Sequence, residues 1–262
     1  MLDVYGIISG MGSVTVTFNG EEQVGIPFSE GLEYGPYHYG DEIVLTANPD
    51  ADWEFSGWSG EPITTTNPIT VAVNSNVNFH ANFTEIDYNL ETHVIGNGQI
   101  TISPDPPYYL GEEIQLTAYP SATTYFHGWS GDLTGNDSPQ TLVVSGNHEI
   151  TATFKQRSEI AIFMDAEPNS SDSFDFDGSF GTFTLWDGYS QNFSLLLPGD
   201  YDITTAWSET WGLAQVICGG GDSSPIPGGV RIHLSDNQKV NCTFYGVEIG
   251  YRVFLPYIAA NP

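Results

Sequence analysis

The chain has 262 residues and sets 33 Asp and Glu against five Lys and Arg, a formal net charge of −28. A surface this acidic repels phosphate backbones and anionic lipid, so nucleic acid and membrane surfaces are excluded as partners. With 13% aromatic residues and frequent Val and Ile, the chain is also too apolar to be a disordered acidic tail.

The charge is unevenly placed. All five cations (Lys155, Arg157, Arg231, Lys239, Arg252) stand at or after position 155, and the 154 residues before them hold 20 of the acids. Such a chain suits a setting rich in divalent cations, which neutralise clustered carboxylates. Helical periodicity is missing, while Gly, Pro, Asn, Thr and Tyr are common, which predicts an all-β chain with many turns. No segment approaches the ~18 apolar residues of a membrane span. The opening "MLDVYGIISGMGSVTV" has neither a basic region nor a hydrophobic stretch of secretory length, which leaves a cytoplasmic protein or a mature or trimmed chain; the modular organisation below favours the second.

In chain order, the first predicted strand is "SVTVTF", opened by Gly10 and Gly12. "YGDEIVLTANP" (39–49), "FSGWSGEP" from Phe55, and "NPITVAVNSNVNFHANF" (67–83) follow. The same phrases then return. "IGNGQITI" holds Gly96 and Gly98, and "LGEEIQLTAYP" spans 110–120. "FHGWSGD" begins at Phe126, and "SPQTLVVSGNHEITATF" spans 138–154. The offset is 129 − 58 = 71 at the tryptophans and 96 − 10 = 86 at the opening glycines. The first copy therefore carries an insertion, around "NGEEQVGIPFSEGLEYG" (19–35), with room for an additional hairpin. Period-two alternation in each phrase places one face of each strand in a core and the other in water.

In this repeated order the chain resembles the divergent internalin-type B-repeat family of bacterial surface and secreted proteins. The residues that match are the Gly-x-Gly start, the "G-[DE]-E-I-x-L-T-A-x-P" strand, the "F-x-G-W-S-G-[DE]" turn and the closing "T-x-F". The resemblance covers roughly 4–84 and 88–155. It implies small, self-contained β modules. Phe55, Trp58, Phe126 and Trp129 are then expected as core plugs, a large apolar contribution for modules of this size. The alternative for the two tryptophans is a pair of sugar-stacking platforms.

After "KQRS" (155–158) the pattern changes. "IAIFMDAEPNSSDSFDF", "FSLLLPGDYDIT" (193–204), "QVICGGG" and "VNCTFYG" resemble the prealbumin-like, pilin-type β-sandwich domains of bacterial surface proteins, over about 158–247. That resemblance implies an internal lysine–asparagine cross-link in many members. Here the first strand "EIAIFMD" has no lysine, leaving only Lys239, and no such bond is expected. Cys218 and Cys242 are the only cysteines. In an unexported chain they would be free thiols. Their placement in two apolar strands around a Gly- and Pro-rich hairpin favours a disulfide, and with it export.

The expected organisation is thus three all-β modules: 1–85, 86–155 and 156–262. Two are B-repeat-like and the third is an Ig/prealbumin-like sandwich with a tail strand. The six histidines form no zinc pattern and no nucleophile or phosphate-loop motif occurs, so no enzyme and no bound cofactor are expected. Calcium is the exception considered. Asp172, Asp175 and Asp177, in "DAEPNSSDSFDFDG", are candidate oxygen ligands, although the alternation in "SFDFDG" also reads as a strand with a wet acidic face. The tail "YRVFLPYIAANP" offers Val253, Phe254, Leu255, Tyr257 and Ile258 as an apolar β-prone segment. It serves either as a last strand of its own domain or as a strand added to a neighbour's sheet edge. The expected function is a secreted, non-enzymatic, cell-surface structural or adhesive protein, with the subunit of a surface filament joined by edge-strand pairing as one form of it. Its partners would be copies of itself or other surface proteins. The alternative is a set of carbohydrate- or ligand-binding accessory modules of a larger secreted protein, for which Trp186, Trp207, Trp211, Tyr34 and Tyr37 are the exposed aromatic candidates.

Overall fold

The computed structural model describes residues 1–28 and 31–250, and among them there is no helix. No helix is therefore long and apolar enough to cross a membrane. The chain falls into two compact units. One holds Met1–Glu91 with Ser103–Gln115 and Thr141–His148; the other holds Thr92–Ile102, Leu116–Gln140 and the chain from Glu149 onward.

The first repeat is built from β1 (Leu2–Ser9), β2 (Gly12–Phe18), β3 (Glu21–Glu22), β4 (Ile26–Phe28), β5 (Gly31–Tyr37), β6 (Asp41–Pro49), β7 (Trp53–Gly60), β8 (Ile69–Val73) and β9 (Val77–Glu85). These form two sheets, β4-β5-β1-β9-β7 and β3-β2-β6-β8. Alternation drives the packing. Val77, Phe79, Ala81 and Phe83 of β9 point one way, Ile43, Leu45 and Ala47 of β6 the other, and together they make one buried cluster. The insertion is β3 with the hairpin β4–β5, and β5 lies antiparallel along β1. It contributes the buried rings of Tyr34 and Tyr37, 4% and 2% exposed.

The second repeat has β10 (Leu90–Ile95), β11 (Gly98–Ser103), β12 (Glu113–Pro120), β13 (Thr124–Gly131), β14 (Gln140–Val143) and β15 (His148–Gln156), in sheets β10-β15-β13 and β11-β12-β14. It reproduces the first almost bond for bond. Asp3 N donates to Asn76 Oδ1 at 3.1 Å, and Asn89 N to Asn147 Oδ1 at 2.8 Å. His38 N donates to Asp41 Oδ2, and Tyr109 N to Glu112 Oε2. Ala47 N donates to Asn67 Oδ1, and Ala118 N to Ser138 Oγ, both at 2.8 Å. The difference lies at the edge. β1 is covered by β5, whereas β10 ends its sheet among the described residues.

The sandwich comprises β16 (Ser158–Glu167), β17 (Ser173–Gly178), β18 (Gly181–Trp186), β19 (Ser190–Leu196), β20 (Gly199–Thr205), β21 (Trp211–Gly219), β22 (Asp222–Ile226), β23 (Gly229–Leu234) and β24 (Lys239–Glu248). Its sheets are β19-β16-β24-β21 and β18-β17-β20-β23-β22. Ile160, Ile162 and Met164 of β16 and Val240, Cys242 and Phe244 of β24 meet Phe174, Phe176, Ile203 and Ile232 of the facing sheet in one core. β16 and β24 are parallel neighbours, so the whole intervening chain serves as their crossover. The all-β fold of small modules in tandem agrees with the expectation from sequence.

Candidate functional site

The repeated "F-x-G-W" phrase lies on β7 and β13, and each copy contains a bulge, between Phe55 and Gly57 and between Phe126 and Gly128. The bulge glycines have φ of +145° and +157°, where a side chain is disfavoured. The extra residue turns the next side chain inward. Trp58 is 3% exposed and Trp129 5%. Each indole rests on its partner phenylalanine, 5.0 Å between centroids in both copies.

Both N–H groups of each tryptophan then fasten the loop that follows. Trp58 N donates to Thr64 O at 2.7 Å, and Trp58 Nε1 to Thr66 O at 3.0 Å. Trp129 N donates to Gly135 O at 2.7 Å, and Trp129 Nε1 to Asp137 O at 2.8 Å. A buried indole needs such an acceptor, and the loop carbonyls supply it. With their faces buried, neither ring offers a stacking surface to a sugar.

The Gly-x-Gly start belongs to the same device. A Cβ on Gly98 would come within 2.5 Å of the Phe154 ring, and one on Gly12 within 2.8 Å of the Phe83 ring. The closing phenylalanine of each repeat therefore packs directly on the opening strand. The sequence shows this as two separate motifs; the fold makes them one contact.

In the sandwich, Cys218 and Cys242 lie opposite each other on β21 and β24 and form a disulfide. Lys239 is 75% exposed and pairs with Glu159 Oε2 at 3.0 Å, so it stands outside the core where a lysine–asparagine cross-link would form. The acidic run does not converge. Asp172 Oδ2 accepts from Trp211 Nε1 at 2.9 Å, Asp175 Oδ1 accepts from Thr184 Oγ1 at 2.7 Å, and Asp177 is exposed two residues further along β17. Strand alternation spreads Asp175 and Asp177 along a wet face while Asp172 turns to the indole. Among the described residues no group of three or more His, Cys, Asp or Glu is placed to hold a metal.

The aromatic candidates are also redistributed. Tyr34 and Tyr37 are core residues because the inserted hairpin folds onto β1, and Trp211 is 7% exposed with its Nε1 held by Asp172. Trp207 is half-buried against Phe174, 5.9 Å between centroids. Only Trp186 of the five is exposed, at 49%, with Tyr189 beside it at 6.4 Å. On the same outer face of β18, two residues before Trp186, Thr184 lines an open groove of about 680 Å³ with Asp175, Asp177, Thr182 and Thr204. The tail residues Val253, Phe254, Leu255, Tyr257 and Ile258 lie outside the described residues.

Two modules that repeat each other's hydrogen bonds define a tandem-repeat β protein. The divergent InlB B-repeat domain matches residues 13–87 and again 88–158, more than half of the chain, and the chain belongs to that family. No curated protein matches it. Among solved structures it is similar to the Bacillus anthracis TIE protein, with 8% identity and a TM-score of 0.41 over 94% of this chain and 50% of that one. The chain thus spans half the length of that protein. It is also similar to the major pilin from Streptococcus pyogenes, with 12% identity and a TM-score of 0.31 over 94% of this chain and 97% of that one. BcpA, the major pilin subunit of Bacillus cereus, gives 10% identity and a TM-score of 0.31 over 94% and 99%.

Proposed function

We propose that the chain is a non-enzymatic building block of a bacterial cell surface, with three modules, 1–85, 86–155 and 156–262, adding length and stiffness, and that copies join by edge-strand pairing. The observation that carries the assembly reading is the contrast between the two repeats. In the first, the insertion strand β5 occupies the edge beside β1. In the second, β10 takes the place of β1 and ends its sheet among the described residues. β10 reads "LETHVI", with no Lys or Pro to blunt it, and leaves Val94 and Ile95 44% and 58% exposed. An edge that accepts an antiparallel strand within the chain in one copy is fitted to accept one from outside in the other. The tail segment around Phe254 and Leu255 supplies, in this reading, the added strand. Family membership and a disulfide in the sandwich both support an exported chain.

Negative-stain microscopy of concentrated protein is expected to show end-to-end oligomers or filaments. Val94→Lys, which places a charge on the edge, is expected to abolish them while leaving the circular dichroism spectrum unchanged. A wild-type chain that stays monomeric at all concentrations overturns the assembly reading.

Trp186 favours a second reading, a glycan-binding face on β17 and β18. An exposed indole beside hydroxyl and carboxylate side chains suits a sugar ring. On a glycan panel, binding that disappears in Trp186→Ala supports this reading, and no binding at all removes it.

A further inference from the structure

The chain's first two cations, Lys155 and Arg157, mark the point where the second repeat passes into the sandwich, after 154 residues with none. Only Arg157 separates β15 from β16. The exit of the first repeat shows what this connection needs at minimum. There Ile86 N donates to Asp52 O at 2.9 Å, and the Tyr88 hydroxyl donates to Asp52 Oδ1 at 3.0 Å, with no cation involved. Seventy-one residues on (157 − 86 = 71), Arg157 N donates to Thr123 O, again at 2.9 Å.

Around that shared bond the second exit adds a denser set of contacts. Tyr125 and Lys155 stand opposite each other on β13 and β15. Both reach the turn between β23 and β24: the Tyr125 hydroxyl donates to Asp236 Oδ1, and Lys155 Nζ to Asp236 Oδ2 at 2.8 Å. Arg157 Nε donates to Thr124 O at 3.0 Å, and Nη1 to Leu195 O at 3.1 Å, tying β13 to the end of β19. The same turn is held from beneath. Buried Ser158 donates to Ser235 O at 2.7 Å and accepts from Gln238 N, and Asn237 N donates to Gln156 O at 3.3 Å.

We propose that Tyr125, Lys155 and Arg157 close on Asp236 and Leu195 to form a charge-locked joint. This joint fixes the β13–β15 end of the second repeat to the sandwich as one rigid body. The proposal deepens the structural reading above and rests on it only for its biological purpose. Two strongly acidic modules in series repel each other. Two of the chain's five cations are placed where that repulsion would bend the connection. The chemistry at the joint agrees. Burial pushes the Tyr125 hydroxyl up to about 12, assisted by its bond to Asp236, so it stays a donor. Burial works to raise Asp236. It is outweighed by the bonds from Lys155 and Tyr125 and the charges of Lys155 and His127, which hold the carboxyl below its ordinary range. Charge-assisted bonds of this kind are the strong ones.

Trypsin reads the joint directly, because it cuts after Lys155 and Arg157 and the chain offers few other sites. Arg231, within β23, serves as the internal reference for unfolding of the sandwich. The wild type is expected to resist cleavage at the joint. Asp236→Asn is expected to be cut after Lys155 and Arg157 about tenfold faster, with cleavage after Arg231 unchanged, because proteolysis tracks the open population. Tyr125→Phe should give a smaller increase at the same bonds, and added salt should move the wild type towards the variants. Equal joint cleavage in wild type and Asp236→Asn, whether fast or slow, overturns the proposal, as does a matching rise after Arg231. The assay needs no assembly, so its failure is separate from a failure to form filaments.

Discussion

Trp129→Ala is expected to destabilise the second repeat by about 3–5 kcal/mol, and Trp58→Ala the first by a similar amount. Each indole is buried, lies against a phenylalanine 5.0 Å away and ties down a loop through two N–H bonds. Domains of this size have roughly 5 kcal/mol or less to lose, so either variant leaves its repeat close to unfolding. Trp58→Phe separates the two contributions. It keeps most of the ring and loses the bond from Nε1 to Thr66 O, for an expected cost of about 1–2 kcal/mol including lost packing. Urea unfolding followed by circular dichroism gives the size of the loss, and hydrogen exchange gives its location. A loss below about 1 kcal/mol in the alanine variants would show that the tryptophans are not the plugs of their modules.

The second large effect is expected in the sandwich. Removing the Cys218–Cys242 bridge as the double variant Cys218→Ala, Cys242→Ala releases a loop with a sequence separation of 24, and is expected to cost about 3 kcal/mol. Alanine is the appropriate replacement because Cys242 is 0% exposed, and serine would bury an unpaired hydroxyl. The loss should be confined to the unfolding of the sandwich. The environments of Trp58 and Trp129 belong to the repeats and should report no change. If reduction or the double variant leaves thermal unfolding of the sandwich unaltered, the bridge does not stabilise the fold.

Much of the architecture was legible from residue order. The offset of 71 between the two tryptophan phrases reappears as matched bonds, such as Trp58 Nε1 to Thr66 O and Trp129 Nε1 to Asp137 O. Alternation in "VNFHANF" and "EITATF" called for one buried face on each strand, and Phe79, Ala81, Ile150 and Ala152, at 3%, 0%, 0% and 0% exposed, form those faces. The insertion was legible as additional length with room for a hairpin. That it would cover β1 and bury Tyr34 and Tyr37 was not, because no local pattern says which edge a hairpin joins.

The acidic run and the joint mark the same boundary. "SFDFDG" alternates, which reads as a strand with a wet acidic face, while its acids and closing Gly also made it a candidate calcium loop. Trp211, 39 residues from Asp172, takes that carboxylate for its indole N–H, a contact that no local pattern announces. Tyr125 and Asp236 are 111 residues apart, and no spacing rule connects them. Taken alone, the sequence determined the class of fold, the repeat and the faces of its strands, because these depend on side chains a few positions apart and on a period of two. Only the tertiary structure decided which edges are covered, where the acids find partners and how the second repeat is fastened to the sandwich. Those contacts join residues brought together by sheet packing, and their energies depend on burial that exists only after folding.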